Sequence, residues 1–536
     1  MRYILLFFVS FFHFKLLAYD LSKMSVEEKV GQMFMVYFDG EDANENALRL
    51  IKDAKIGGII LYNQTNKLES PEQVRNLNSE LQLIASDLIG IPLFIALDQE
   101  GGTIARLKKG FTEFPDNAAL GMSKNPKLAY KSAQYIGKEI KSVGVNFNLA
   151  PVVDVNNNPK NPIIGVRSFG DDPKLVTQFG KKSIEGYESI GVIPCLKHFP
   201  GHGDTTLDSH NDLPLVPKSL SQLLKTELYP YVNLAPKAQA IMTAHILFPQ
   251  IDPDNCATLS SKILKGILRE RLNFNGVLIT DSLTMRGVLK GHENLKEVVF
   301  KAIKAGNDIL LIGNRDPKNR VDGKVHVDEI IKIYKSVVSA VKADVISEDR
   351  IDESVKRILA LKEKADLKRT SRFLPELQKT LKTKKHLDLS REIAKRAILI
   401  KDWQLDEDLS SKKILLIAPK DFQDKIEGSE LNSLGKTTSS CFFSEAELKD
   451  KEYQEILEEL QSTDVVVFYS YNAWKKQKQA DLLNQVSAIK PTICIAIRDP
   501  YDLDISNKAV VKIATFSFSK NSFQVVSELI KENMKK

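Results

Sequence analysis

Gly191-Val192-Ile193-Pro194-Cys195-Leu196-Lys197-His198-Phe199-Pro200-Gly201-His202-Gly203-Asp204-Thr205-Thr206-Leu207-Asp208-Ser209-His210 joins an apolar run to a loop dense in chemistry. The run at 192–196 has strand length and little alternation, the pattern of a strand covered on both faces. The segment 197–210 holds three of the eight His in the chain, with two Asp, a concentration that a solvated surface does not explain. It reads as an active-site loop, and Gly201 and Gly203 predict that it is mobile.

Seven further runs share the character of 192–196: residues 33–37, 58–61, 93–97, 145–150, 240–244, 276–280 and 308–312, with helix-patterned stretches between them. Eight covered strands alternating with helices predict a (β/α)8 TIM-like barrel. Polar residues stand at the C-terminal ends of these runs: Asp98-Gln99-Glu100, Asp154, Lys197-His198, His245, Asp281 and Asn314. A parallel barrel brings all such ends to one face, so residues far apart in sequence are expected in one pocket.

Beyond residue 365 the composition changes. Lys368, Arg369, Arg372, Lys379, Lys382, Lys384 and Lys385 mark a basic, helix-prone connector, read as a solvated face. Apolar runs then recur at 397–400, 414–418, 465–469, 492–497 and 510–516, with a helix expected over 445–461. They predict a smaller open α/β sandwich domain, and no glycine-rich phosphate loop follows any of its strands. The expected organisation is a signal peptide at 1–18, a catalytic barrel at 19–365, a linker at 366–392 and the C-terminal domain at 393–536.

The 536 residues are 43% hydrophobic, enough for more than one core. Basic residues number 76 and acidic 69, a small excess that gives no ground for a nucleic-acid partner. The four Cys lie far apart without metal-site spacing, and no cofactor is expected. Met1-Arg2 precedes an apolar stretch that ends at Leu16-Leu17-Ala18, the form of a secretory signal. A periplasmic or secreted protein is therefore expected, a monomer, with room for peripheral association with cell wall or membrane.

Asp281, after the run 276–280, can accept a proton, ligate a metal, attack an electrophilic carbon, or simply cap the following helix. Asp208 and His210, one residue apart, project to the same side of an extended segment, where the carboxylate fixes the tautomer of the ring and raises its pKa. That makes an acid/base dyad. His202, Asp204, Asp208 and His210 also include zinc-ligand types, which leaves a metal-dependent hydrolase as an alternative. Asp98, Arg106, Arg167, Lys197 and His198 supply the donors and acceptors that grip sugar hydroxyls; Arg106 and Arg167 could equally be paired with Asp98 or Asp154.

Taken together, Asp98-Gln99-Glu100-Gly101-Gly102, Arg167-Ser168-Phe169-Gly170, Lys197 to Thr205 with Asp208-Ser209-His210, and Asp281-Ser282-Leu283-Thr284-Met285 resemble glycoside hydrolase family 3. Within it they look like the bacterial β-N-acetylglucosaminidases of the NagZ type. The resemblance implies Asp281 as nucleophile, His210 oriented by Asp208 as acid/base, and Asp98, Arg106, Arg167, Lys197 and His198 around the GlcNAc unit. It also implies double displacement with retention, on peptidoglycan fragments or related oligosaccharides. Family-3 β-glucosidases place a Glu from another region in the acid/base role, so the His loop is the most specific match. Thr103 stands where many members carry Arg, and Ser282 where Asp is common. Other family-3 specificities, such as β-glucosidase or chitooligosaccharide hydrolase, remain open, as does a wall-binding protein without turnover.

Overall fold

The computed structural model describes residues 19–314, 323–370, 373–405, 408–429, 434–444 and 448–533. The expected signal at 1–18 lies outside the described residues, as do 371–372 of the expected connector and 445–447 of the expected helix.

All eight barrel runs form strands: β1 Phe34–Val36, β2 Gly58–Ile60, β3 Phe94–Leu97, β4 Phe147–Asn148, β5 Ile193–Phe199, β6 Ala240–Thr243, β7 Val277–Thr280 and β8 Leu310–Ile312. Every strand residue is buried, because helices cover the outside and side chains fill the inside. The strands pair in parallel in the order β8-β1-β2-β3-β4-β5-β6-β7. A parallel bridge between Ile279 and Ile309, with Thr280 N donating to Ile309 O at 3.0 Å, brings β7 back to β8 and closes the ring.

The outer helices start where the sequence provides a cap followed by proline. Ser70, Asn125 and Asp172 accept from the first-turn amides of helices Pro71–Leu88, Pro126–Ser142 and Pro173–Glu188, and proline supplies a preset φ where no amide is needed. Their apolar faces lie on the strands, so each loop at a strand's C-terminal end opens on the same side of the barrel.

The C-terminal domain is a separate six-stranded sheet: β9 Leu399–Trp403, β10 Lys413–Pro419, β11 Thr437–Phe443, β12 Val465–Ser470, β13 Thr492–Ala496 and β14 Val511–Ala514. Their order is β9-β14-β13-β12-β10-β11, parallel except for the β9–β14 pair. Alternate residues of β10 serve two cores. Leu415 and Ile417 join the cluster continuous with the barrel, while Ile414, Leu416 and Ala418 line a core of the domain's own. Strand β11 was not expected from sequence: Thr437-Thr438-Ser439-Ser440 is polar because it forms an edge, mostly open to solvent on both faces.

The connector is only partly the solvated face that its charges suggested. Lys379 and Lys384 do point outward, but helix Lys384–Ala397 buries His386, Leu389, Ile393 and Ala397. Ser390 Oγ donates to Glu113 O of the barrel at 2.6 Å and accepts from Asn521 Nδ2 of the C-terminal domain at 2.8 Å, so the helix wedges the two together. Among the described residues, no helix is long and apolar enough to cross a membrane.

Candidate active site

The polar residues at the strand ends converge as barrel geometry requires. Asp98 follows β3 directly. Its Oδ1 accepts from Lys197 Nζ at 2.7 Å and its Oδ2 from Arg106 Nη2 at 3.1 Å. Burial alone would raise the Asp98 carboxyl, but Lys197 and Arg106 outweigh it and hold the group well below the usual carboxylate range. Arg106 reaches this position because Gln99–Gly101 and Ile104–Ala105 form a short hairpin that turns the chain back over the barrel mouth. Its guanidinium lies 5.6 Å from the centre of the Tyr62 ring.

Arg167 does not pair with Asp98 or Asp154, the partners considered from sequence. Its Nε and Nη2 form a fork on Glu100 at 3.0 and 2.8 Å, and Lys197 Nζ lies 2.7 Å from the same carboxylate. Glu100 is thus a further member of the site, one that its place in the Asp98-Gln99-Glu100 motif does not by itself reveal. Two carboxylates and three cations form one continuous, largely buried network, in which each charge compensates another's lost hydration.

Asp154 carries the other half of the site. Fully buried, it accepts from His198 N at 3.1 Å and His202 N at 2.7 Å, while its Oδ2 holds His198 Nδ1 at 2.7 Å. Nδ1 of His198 therefore carries the proton, and its Nε2 is left without a protein partner among the described residues. His202 is not a swinging residue. It is 3% exposed, with Nδ1 at 2.8 Å from Thr205 Oγ1 and Nε2 at 3.0 Å from Ser209 Oγ, and burial together with nearby His198 pushes its pKa down to about 4. The glycines beside it allow close packing. A Cβ on Gly203 would lie 1.6 Å from Val155 O, and one on Gly201 would lie 2.6 Å from the Glu227 side chain.

Asp208 and His210 do meet, by a different route from the extended one expected. The segment is a turn, with Asn211 N and Asp212 N donating to Asp208 O. Asp208 Oδ1 accepts from His210 N at 2.9 Å and from Nδ1 of its ring at 2.8 Å. This bond raises the His210 pKa, burial opposes it, and the negative charge of Asp281 adds to the rise. His210 is about half exposed, with its side chain at 48%, so it stands at the mouth of the site.

Asp281 follows β7 and caps no helix: helix Arg286–Leu289 begins after Met285, which makes no side-chain cap. Oδ1 of Asp281 accepts from Ser282 N at 2.7 Å, and Oδ2 has no protein donor among the described residues. Burial would raise its pKa, but His245, His198 and His210 outweigh it and keep the carboxylate ionised. His245, another residue not singled out as functional, fixes this corner: its Nε2–H donates to Ser282 O at 2.9 Å and its Nδ1 faces Thr258 Oγ1 at 2.8 Å.

The four residues weighed as zinc ligands are held apart. His202 is bonded to Thr205 and Ser209, Asp204 is paired with Lys218 at 2.6 Å, and only Asp208 and His210 touch each other. Among the described residues no group of three or more His, Cys, Asp or Glu is arranged to hold a metal ion.

An ionised carboxylate and a raised-pKa imidazole on one mouth of a (β/α)8 barrel, above a network of largely buried charges, form an arrangement that can support acid/base and nucleophilic chemistry. Residues 25–361 match the Glycosyl hydrolase family 3 N terminal domain, and the chain belongs to that family. The chain is 36% identical to the beta-hexosaminidase A of Pseudoalteromonas piscicida over 368 residues, a match that spans 65% of this chain and 60% of that relative. It is 33% identical to the beta-hexosaminidase of Idiomarina loihiensis, over 52% of this chain and 83% of the relative. The glycoside hydrolase family 3 beta-N-acetylglucosaminidase from Paenibacillus sp. str. FPU-7 superposes with a TM-score of 0.87 at 32% identity, covering 95% of this chain and 97% of that one.

Proposed function

We propose that the protein is a retaining exo-β-N-acetylglucosaminidase that removes terminal β-linked GlcNAc from peptidoglycan fragments or related oligosaccharides. One observation carries this reading: the His210 ring is held at Nδ1 by Asp208 and lies within the field of an ionised Asp281 carboxylate. The beta-hexosaminidase names of its relatives support the substrate class.

In this mechanism Asp281 attacks the anomeric carbon while Nε2–H of protonated His210 protonates the departing glycosidic oxygen. A glycosyl ester on Asp281 results, and the aglycone leaves as an alcohol. The neutral His210 then takes a proton from a water molecule that attacks the same carbon. GlcNAc departs in the β configuration, and Asp281 returns as a carboxylate. Asp208 holds the Nδ1 proton through both steps. Asp98, Arg106, Arg167, Lys197 and His198 surround the sugar, Asp98 and the free His198 Nε2 offering hydrogen bonds to its hydroxyls. The apolar stretch behind Met1-Arg2 supports an exported enzyme acting on wall fragments.

The test is digestion of purified peptidoglycan fragments and chitobiose side by side, with the released sugar identified by mass and its first-formed anomer by NMR. Free GlcNAc released first as the β anomer, faster from the wall fragments, is expected. Release of the α anomer would overturn the double displacement, and faster cleavage of chitobiose would move the substrate to chitin-type oligomers.

A further inference from the structure

The C-terminal domain contributes none of the residues assigned above, yet it touches the barrel at three points next to segments that carry them. Ser517 Oγ donates to Asp116 Oδ2 at 2.8 Å, and Asp116 Oδ1 accepts from Thr103 N at 2.7 Å, inside the hairpin that presents Glu100 and Arg106. Asp499 packs beside Gly165, two residues before Arg167: a Cβ on this glycine, at φ +45°, would lie 3.3 Å from Asp499 Oδ1. Lys475 Nζ, with the Trp474 ring 4.4 Å beneath it, donates to Asn161 O at 3.0 Å.

Asn161 is where these lines meet. It is 2% exposed. Its Nδ2 donates to His202 O at 2.8 Å, Gly203 O at 3.1 Å and Thr205 Oγ1 at 3.2 Å, tying down the loop that leads to Asp208 and His210. Its Oδ1 accepts from Ile163 N at 2.9 Å and Ile164 N at 2.7 Å, and Arg167 Nη1 donates to Ile163 O at 3.3 Å. Asn161 thus links the acid/base loop and the Arg167 turn through its side-chain amide, and the second domain through its backbone carbonyl. Fully bonded buried amides of this kind fix a geometry, because any shift leaves several polar groups unpaired.

We propose that Asn161 is a positioning residue through which the C-terminal domain, by way of Lys475, braces the acid/base loop. The proposal rests on the reading of His210 as proton donor. A brace on the donor matters most when the leaving group needs its proton, and least when the leaving group departs unaided.

The experiment uses the full chain with Lys475→Ala, Lys475→Arg and Asn161→Ser, Lys475 being a surface side chain whose loss does not threaten folding. Two readouts are taken: rates on dinitrophenyl β-GlcNAc and methyl β-GlcNAc, and hydrogen–deuterium exchange over residues 201–210. For Lys475→Ala, kcat on the methyl glycoside falls roughly tenfold, since small misplacements of a catalytic group are costly. The dinitrophenyl rate stays within about twofold and KM is little changed. Exchange in 201–210 rises, and Lys475→Arg restores both. Asn161→Ser shows the same pattern more strongly. An unchanged ratio of the two rates with unchanged exchange in Lys475→Ala overturns the proposal. So does equal loss on both substrates. If the wild-type chain cleaves no β-GlcNAc substrate, the functional reading falls by itself, and the exchange measurement alone decides whether the second domain holds the loop.

Discussion

At the C-terminal end of the barrel strands, Asp98 and Glu100 meet Lys197, Arg106 and Arg167; at the opposite end, Asp308 meets Arg269, Arg350 and Arg357. Both clusters are buried ion networks, and the difference lies in what is left over. Around Asp308 the remaining donors are matched: Arg269 Nη1 reaches Phe274 O and Gly276 O, Arg350 reaches Ile303 O and Asn307 O, and Ser354 Oγ and Leu278 N donate to the carboxylate itself. At the other end, among the described residues, buried Arg106 Nε, Asp281 Oδ2, His198 Nε2 and His210 Nε2 have no partner. A closed network holds the fold together, whereas an open one has valences to spend on a ligand.

Asp281→Ala should break the contrast hardest. Turnover of an aryl β-GlcNAc should fall on the order of 10⁴-fold or more, as removal of a nucleophile does, while urea unfolding stays near wild type because one backbone bond is all the carboxylate accepts. A variant that kept substantial turnover would remove Asp281 from the chemistry.

His210→Ala is the next largest effect. Loss of this proposed proton donor should lower kcat about 10²- to 10³-fold on chitobiose and much less on a dinitrophenyl glycoside, whose leaving group needs no proton. Comparable losses on both would mean that the ring does something other than donate.

Asp308→Ala tests the closed end. It strands three arginines around a vacated, buried position, so stability should drop by about 3–5 kcal/mol in denaturant titration. The molecules that remain folded should keep kcat within a factor of about 2, since the site lies at the other end of the strands. Loss of turnover at unchanged stability would reverse the assignment of the two ends.

How much of this could be read in the sequence follows from which features are local. The eight strands were legible because strands covered on both faces are continuous apolar runs, and their polar ends were legible as a site because parallel topology alone sends them to one face. Strand β11 was not, since Thr437-Thr438-Ser439-Ser440 at an open edge carries no apolar signal. Partner choice was not legible either. That Arg167 grips Glu100 rather than Asp98 or Asp154 depends on a hairpin whose fold brings Glu100 across the mouth. Asn161 left no trace, because an amide that bonds five groups looks in sequence like any polar loop residue. For Gly203 the sequence showed only half of the residue's use. Glycine allows mobility or close approach, and the 1.6 Å from a would-be Cβ to Val155 O establishes the second.

The smallest effect expected is a displacement in pH. The Asp208 hydrogen bond is the main cause of the raised His210 pKa, with burial opposing it and Asp281 assisting. A raised pKa keeps the ring protonated, and so able to donate, to higher pH; the alkaline limb of kcat/KM should reflect it. Asp208→Asn removes the charge and keeps the shape, so that limb should move toward lower pH while the acid limb, set by Asp281, stays in place. The sign carries over to stability: a group whose folded pKa lies above its unfolded value stabilises below the unfolded pKa and loses that contribution as pH rises through the folded one. Wild type should therefore lose a small increment of stability as pH rises from about 6.5 through the raised His210 value, a loss that Asp208→Asn lacks. An alkaline limb that stayed put in Asp208→Asn would separate Asp208 from the titration of His210, and leave the open end of the barrel with a proton donor tuned by Asp281 alone.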